Sequence, residues 1–206
     1  MILVDTTLDD PSVAESAISS DNLGGGKAAF EAIQQLAPEG GKVLGVGVQP
    51  GVSTTDARDK GFAEAAEADP KFEYLGVQYS QNEPAKAASI VSAALQKHPD
   101  IVGIFASNLF SAQGAATGIR QAGKAESVKV IGFDAGPDQI KALKDGTVQA
   151  LIAQQPEMIG KTGVQQAIKA LKGEPTEKEI GTGFTIITKD NVDSEEGKKA
   201  AYRASC

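Results

Sequence analysis

The chain has 206 residues, of which 41% are hydrophobic and 23% are charged, a composition typical of a soluble globular protein. Its formal net charge is −7 and arginine occurs only at positions 58, 120 and 203, which argues against the basic surface that nucleic-acid binding requires. No apolar run approaches the roughly 20 residues that cross a bilayer. The single cysteine, Cys206, excludes a disulfide within the chain and a zinc site built on several cysteines. It is interpreted as an inert thiol or as a bridge between two chains.

Helical and strand-like segments alternate along most of the chain. A short apolar run at Ile2–Val4 predicts a strand, and later strands begin near residues 42, 73, 101, 128 and 148, so most units span 20 to 31 residues. This spacing predicts right-handed βαβ units in a parallel α/β sheet with helices on both faces. The predicted helices are Leu23–Leu36, Asp56–Ala68, Glu83–Lys97, Phe110–Ala122, Pro137–Lys144, Pro156–Leu171 and Glu195–Ala204. A polar linker at Glu174–Glu179 leads to a last predicted strand at Gly183–Lys189.

Five predicted strands end in polar side chains. They are Lys42–Val48 before Gln49, Phe72–Val77 before Gln78 and Asn82, Ile101–Ala106 before Asn108, Val128–Phe133 before Asp134, and Val148–Ala153 before Gln154. If these strands are parallel neighbours, their carboxyl ends meet at one edge, where open α/β sheets bind ligands. Amides and a carboxylate without a metal-ligand or nucleophile set favour a non-catalytic binder of a hydroxyl-rich ligand.

Several alternatives remain open at single positions. Asp134 follows a strand directly, and it could cap the helix that begins at Pro137, accept a phosphoryl group, or bind a ligand hydroxyl. Arg58 could reach the same edge or pair with an acidic residue one turn away on its helix. Gly24–Gly26 does not fit a phosphate-binding loop, because the pattern requires a glycine at position 21 and a hydroxyl at position 28.

Taken together, several segments resemble type I periplasmic sugar-binding proteins, most closely the ribose-binding branch that serves ABC transporters. The resemblance covers essentially the whole chain, and the matching segments stand in family order. They are Ser20-Asp-Asn-Leu-Gly-Gly25, Asp56-Ala-Arg58-x-x-Gly61-Phe62, Phe105-Ala-Ser-Asn108, Val130-Ile-Gly-Phe-Asp134 and Ile152-Ala-Gln154-Gln-Pro156-x-x-Ile159-Gly160.

The resemblance implies two flavodoxin-like lobes joined by three crossovers, with a sugar held between them. It implies that Asn108, Asp134 and Gln154 bind sugar hydroxyls and that Asp56 and Arg58 add to them. Asn82 stands where the family often has an aromatic residue, which implies a more polar pocket. The resemblance implies no catalytic residue, metal or cofactor.

The resemblance also implies a domain map in which most of the first lobe is missing. Residues 1–19 would be a remnant of that lobe and a crossover, and 156–180 would be its helix and a linker. Residues 20–154 plus 182–190 would form the second lobe, followed by a helix and tail at 191–206. We expect Ile159, Ala167, Ile168 and Leu171 to be exposed on the helix, and we predict a homodimer through Ile2–Asp5 and Pro156–Leu171.

The expected function is therefore a sugar- or polyol-binding protein, in truncated form, that works with an ABC permease. An effector domain of a LacI-like regulator and an oligomeric fragment without sugar binding are the alternatives. The resemblance implies a periplasmic location. The first residues do not resemble a signal peptide, so a cytoplasmic location stays open.

Overall fold

The computed structural model describes residues 1–8 and 10–203. The strands of this part of the chain are β1 (Ile2–Val4), β2 (Ser16–Ser20), β3 (Gly41–Gly47), β4 (Phe72–Tyr79), β5 (Ile101–Ala106), β6 (Lys129–Phe133), β7 (Ala150–Gln154), β8 (Glu179–Thr182) and β9 (Phe184–Thr188). The helices are α1 (Asn22–Leu36), α2 (Ser53–Ala68), α3 (Pro84–Lys97), α4 (Leu109–Gln121), α5 (Pro137–Asp145), α6 (Pro156–Leu171) and α7 (Glu195–Ala200).

The larger of two sheets contains all five predicted strands as neighbours. It has six strands in the order β4-β3-β5-β6-β7-β9, and only β9 runs antiparallel to its neighbour. The α/β fold class and the convergence of the five carboxyl ends on one edge are therefore confirmed. Helices cover both faces, because neighbouring strand residues such as Val43 and Leu44 enter different core clusters.

Each face of the larger sheet has its own apolar core. On one face α1 and α2 pack around Phe62, which lies between the rings of Phe30, Tyr74 and Phe105. On the other face α3, α4 and α5 contribute to a cluster of aliphatic residues that includes Ile119. Burial on both faces explains why these strands are apolar nearly throughout.

The glycine run at residues 24–26 serves helix packing. A Cβ atom at Gly26 would collide with the backbone oxygen of Arg58, and one at Gly61 would collide with the backbone oxygen of Leu23. The two glycines therefore let α1 and α2 approach closely. A Cβ atom at Gly25 would stand 2.7 Å from the ring of Phe133.

A second, smaller sheet has three parallel strands in the order β1-β2-β8, with α6 packed on it. The strand at Ile2–Val4 was predicted, but β2 and β8 were not. Their sequences are short and polar, and pairing with neighbouring strands holds them extended. The prediction that Ile159 is exposed is wrong, because this side chain is only 5% exposed in the structure.

Some element ends differ from the sequence prediction. Helix α2 begins at Ser53, three residues before the predicted start, so Arg58 lies in its second turn. Helix α7 ends at Ala200, and positions 204–206, including Cys206, lie outside the described residues. Among the described helices, none is both long and apolar enough to span a membrane.

Candidate ligand-binding site

A continuous set of hydrogen bonds joins polar side chains along the carboxyl edge of the larger sheet. Asn108 Nδ2 donates to Asn82 Oδ1 at 2.6 Å, and Gln154 Nε2 donates to Asp134 Oδ1 at 2.9 Å. The backbone N–H of Leu109 donates to Asp134 Oδ2 at 3.1 Å and connects the two pairs. Four of the predicted site residues, which follow or end β4, β5, β6 and β7, are thus brought together.

The backbone around these residues is unusual in the same places. Asp5, Gln81, Asn82 and Asp134 are the non-glycine residues with positive φ in the described chain. Asp5 and Asp134 directly follow β1 and β6, and Gln81 and Asn82 lie two and three residues after the end of β4. Strained backbone of this kind is often kept where a side chain must be aimed at a ligand.

Arg58, on α2, extends toward the carboxyl edge of the larger sheet and is almost completely buried. Its Nε donates to Asn22 Oδ1 at 2.8 Å, its Nη1 donates to the Ser107 carbonyl at 2.9 Å, and its guanidinium stacks 3.6 Å over the Phe133 ring. Burial lowers the pKa of Arg58, and the carboxylates of Asp134 and Asp5 oppose this decrease. These contacts hold a cation at the edge in one orientation.

Asp56 is oriented differently from the other predicted residues. Its Oδ2 accepts a hydrogen bond from the backbone N–H of Gly51 at 2.8 Å, within the loop after β3. Among the described residues, no hydrogen bond connects the Asp56 side chain to the set along the sheet edge. The structure thus does not bring this residue into the network.

The smaller sheet is attached to the site at two points. The backbone N–H of Thr7 donates to Ser53 Oγ at 2.9 Å, at the start of α2. Ser20 Oγ donates to Gln154 Oε1 at 2.9 Å, where the chain passes from β2 to α1. Asp5, at the carboxyl end of β1, adds an acidic group close enough to Arg58 to affect its pKa.

Comparison with known proteins identifies the family. A profile described as "Periplasmic binding protein domain" matches residues 1–175. The chain belongs to this family. Its resemblance to the sugar-binding proteins of ABC transporters, based on the sequence motifs, is likewise confirmed.

The relatives and the solved structures both include solute-binding proteins of ABC transporters that are named for, or bound to, sugars. The chain is 40% identical over 174 residues to the ribose import binding protein of Salmonella typhimurium, a match that covers 84% of this chain and 58% of that protein. A solute-binding protein of Agrobacterium vitis bound with alpha-D-tagatopyranose is 38% identical and superimposes with a TM-score of 0.94. The superposition covers 98% of this chain and 71% of that one.

A second solute-binding protein of Agrobacterium vitis, with bound D-fucose, is 32% identical with a TM-score of 0.92. This superposition covers 98% of the present chain and 70% of the Agrobacterium vitis protein. The chain spans about 58% of the length of the ribose import binding protein to which it is similar.

Sequence reasoning missed one tyrosine of the candidate site. Tyr202 Oη donates to Asp134 Oδ1 at 2.9 Å, so the segment after α7 returns to the sheet edge. The prediction placed this residue on a surface helix. No pattern in the sequence indicates the contact, because it depends on the path of the chain after β9.

Asp59 is a second residue that the sequence did not reveal. Its carboxyl group is buried beside Arg58 on α2, and its Oδ1 has no hydrogen-bond partner among the described residues. Burial raises the pKa of Asp59 to about 7, because desolvation disfavours the charged form. In the described chain, no cluster of three or more His, Cys, Asp or Glu side chains could hold a metal ion.

Proposed function

We propose that the chain is a non-catalytic binding protein for a sugar or polyol that works with an ABC permease. Six residues would contact the ligand: Asp56, Arg58, Asn82, Asn108, Asp134 and Gln154. The observation that carries this proposal is the continuous row of amide and carboxylate groups along the carboxyl edge, with the Arg58 guanidinium beneath it.

The chemistry of this row suits a ligand with several hydroxyl groups. Amides can donate and accept, a carboxylate accepts, and a guanidinium donates in a fixed plane. Within the described residues Arg58 donates from Nε and Nη1, so its Nη2 protons stay available to a ligand. Asn108 and Gln154 each use one of two amide protons within the network.

The relatives support transport as the role. The proteins named above import ribose or were solved with tagatose or fucose bound. These names favour a transport protein over the effector domain of a LacI-like regulator. We propose a periplasmic location as well, and recovery of the native protein with cytoplasmic markers after osmotic shock would contradict it.

Calorimetric titration with D-ribose, D-allose, D-tagatose, D-fucose and myo-inositol tests ligand binding. We expect at least one of them to bind saturably and to raise the melting temperature, since a ligand at 100 times its Kd stabilises the native state by about 2.7 kcal/mol. If no pentose, hexose or polyol binds at millimolar concentration, the proposal fails and the fragment without sugar binding becomes the better explanation.

Two variants, one within the candidate site and one outside it, test whether the ligand binds at the carboxyl edge of the larger sheet. Asn108 also caps α4, because its Oδ1 accepts from the Ser111 N–H at 3.0 Å. Serine caps helices equally well but lacks the amide proton, so Asn108→Ser should weaken binding at least tenfold with little change in melting temperature. Asp138→Asn, on the exposed part of α5, is the control and should leave the affinity unchanged.

We also propose the domain map that the sequence suggested. In this map 20–154 plus 182–190 form one lobe, and residues 1–19 and 156–180 belong to the other. The division into a six-stranded and a three-stranded sheet supports it. Limited proteolysis should cut between the two sheets before it cuts within the larger one, and first cleavage inside β3 to β7 would contradict the map.

We further propose that a second copy of the chain covers α6. Its outer side exposes Val164, Ile168 and Leu171 by 61%, 47% and 88%. Burying one such side chain contributes roughly 1.5–3 kcal/mol, so a partner surface would stabilise the helix. The short β1 is also an unpaired edge of its sheet, which favours association of this region.

Light scattering after gel filtration tests the dimer. At micromolar concentration we expect twice the mass of the chain, and the variant with Ile168→Glu and Leu171→Glu should elute as a monomer. Leu36→Glu, at the end of α1 and about as exposed as Ile168, is the control and should stay dimeric. A wild-type protein that is entirely monomeric would rule out the proposal.

A further inference from the structure

Tyr202 approaches the candidate site from outside the elements that form it. Its backbone N–H donates to the Ala135 carbonyl at 2.9 Å, directly after the strand that ends before Asp134. Its phenol then reaches Asp134 Oδ1, also at 2.9 Å. The tail thus contributes one hydroxyl group to the carboxyl edge of the larger sheet.

The segment that carries Tyr202 is well anchored. Val192 is buried in the core, Lys144 Nζ pairs with Asp193 Oδ1 at 2.7 Å, and Ser194 Oγ accepts from the Gly197 N–H at 3.0 Å. Tyr202 itself packs against the cluster that contains Val192. These contacts therefore hold the phenol of Tyr202 in place beside the candidate site.

The hydrogen bonds to Asp134 leave little room for a ligand. A carboxylate offers about four acceptor directions, two on each oxygen. Gln154 Nε2 and Tyr202 Oη use both directions on Oδ1, and the Leu109 N–H uses one on Oδ2. One direction on Oδ2 remains for a ligand.

The phenol of Tyr202 adds a further hydrogen-bonding group next to the free acceptor direction on Asp134 Oδ2. Burial raises the pKa of Tyr202, and the Asp134 carboxylate raises it further, so the phenol keeps its proton and donates it to Asp134. The Gln154 backbone N–H interacts with Tyr202 Oη and uses one of its two acceptor positions, so one acceptor position remains for a ligand. A ligand hydroxyl that would otherwise donate to Oδ1 meets the phenol oxygen instead.

We propose that Tyr202 determines the specificity of the site, an inference that rests on the proposed sugar-binding function. Asp134 accepts one ligand hydroxyl through Oδ2, and Tyr202 Oη accepts the neighbouring hydroxyl that the carboxylate can no longer bind. Ligands that offer two adjacent hydroxyl groups in this arrangement are favoured over those that lack one of them.

Pairs of sugars that differ by one hydroxyl group test the inference in the full chain. Kd values are measured for D-ribose and 2-deoxy-D-ribose, and for D-galactose and D-fucose, in wild type and in Tyr202→Phe. Phenylalanine keeps the ring and removes the hydroxyl. We expect the variant to bind the preferred sugar five- to twentyfold more weakly and to lose most of the discrimination within at least one pair.

The outcomes separate this inference from the function on which it rests. If both proteins bind sugars with the same Kd ratios within twofold, Tyr202 has only a structural role and the inference fails alone. If neither protein binds any of these sugars, the proposed function fails and the inference fails with it. If only Tyr202→Phe binds, the phenol blocks the site, which also overturns the inference. Arg203→Ala, an exposed neighbour in the same tail, is the control and should match wild type.

Discussion

The six-stranded sheet and the three-stranded sheet bury their apolar residues to very different degrees. Of the twelve largest fully buried side chains in the described chain, eleven lie in the larger sheet or its helices, and Ile18 is the exception. Most of the exposed large apolar residues, by contrast, lie in the segments around the smaller sheet, including Val4, Val13, Val164 and Leu171. The larger sheet therefore holds most of the apolar core of the described chain, whereas the smaller one holds little of it.

The candidate site combines both regions. The larger sheet supplies the aimed carboxylate, amides and guanidinium on well-packed strands, and the smaller sheet supplies Asp5 and the Ser20 contact to Gln154. The comparison teaches that most of the residues proposed to bind the ligand lie on the sheet with the larger buried core.

The largest expected effect compares one buried side chain from each region. Phe62→Ala leaves a cavity among three aromatic rings and should lower the free energy of unfolding by about 3–5 kcal/mol in urea denaturation. If the smaller sheet opens separately, Ile18→Ala should change this value by less than about 1 kcal/mol and should instead speed amide hydrogen exchange in β2.

The two-region description fails if both variants lower the global stability by a similar amount while β2 keeps its protection. That result would mean that the two sheets unfold as one unit. Phe110→Ala, at an exposed position on α4, serves as the control and should cost less than about 1 kcal/mol.

A second prediction concerns the cost of burying Asp59 near the site. Because its pKa is raised to about 7 on folding, the native state binds the proton more tightly than the unfolded chain. Its contribution to stability is therefore fully present below about pH 4 and is lost as the pH rises to 7. At about 1.4 kcal/mol per pKa unit, Asp59→Asn should stabilise the protein by a few kcal/mol at pH 8 and by almost nothing at pH 3.5.

Urea denaturation of wild type and Asp59→Asn at several pH values checks this difference. Comparing the two proteins removes the effects of carboxyl groups such as Asp69 and Asp100, whose lowered pKa values act in the opposite direction. A difference between the proteins that is constant from pH 3.5 to 8 would contradict the assignment.

The smallest expected effect concerns the contact between the two regions. Ser20→Ala removes the hydrogen bond to Gln154 and should cost about 0.5–1.5 kcal/mol of stability. Since Gln154 then loses one of its supports, we also expect a few-fold weaker ligand binding by calorimetry. Ser89→Ala, at an exposed position on α3, is the control; equal effects of both changes would show that the Ser20 contact has no particular role.

The sequence predicted the parts of the fold that depend on local pattern. Strands β3 to β7 are largely apolar because helices cover both faces, so their parallel arrangement and shared edge could be inferred, whereas their order in the sheet was not predicted. Strands β2 and β8 could not, since Ser-Ala-Ile-Ser-Ser and Glu-Ile-Gly-Thr become strands only through pairing across the chain.

The residues of the candidate site also fall into those whose positions could be predicted from local pattern and those whose positions could not. Asn82, Asn108, Asp134 and Gln154 were predictable because each follows or ends a strand of one parallel sheet. The hydrogen bond between Asp56 and the Gly51 N–H depends on the path of the loop after β3, and the arrival of Tyr202 depends on the chain after β9. Neither is encoded in a local pattern.

The chain passes between the two sheets three times, near Ser20, Gln155 and Gly183. Two of these passages are tied together, because the Asp21 N–H donates to the Thr182 carbonyl at 2.8 Å. Parallel connections lying side by side resist twisting and sliding but allow bending about the line that joins them. We expect any movement of the smaller sheet relative to the larger one to be a bend about this line, and the Gln154 side chain lies beside it, where its Oε1 accepts from Ser20 Oγ.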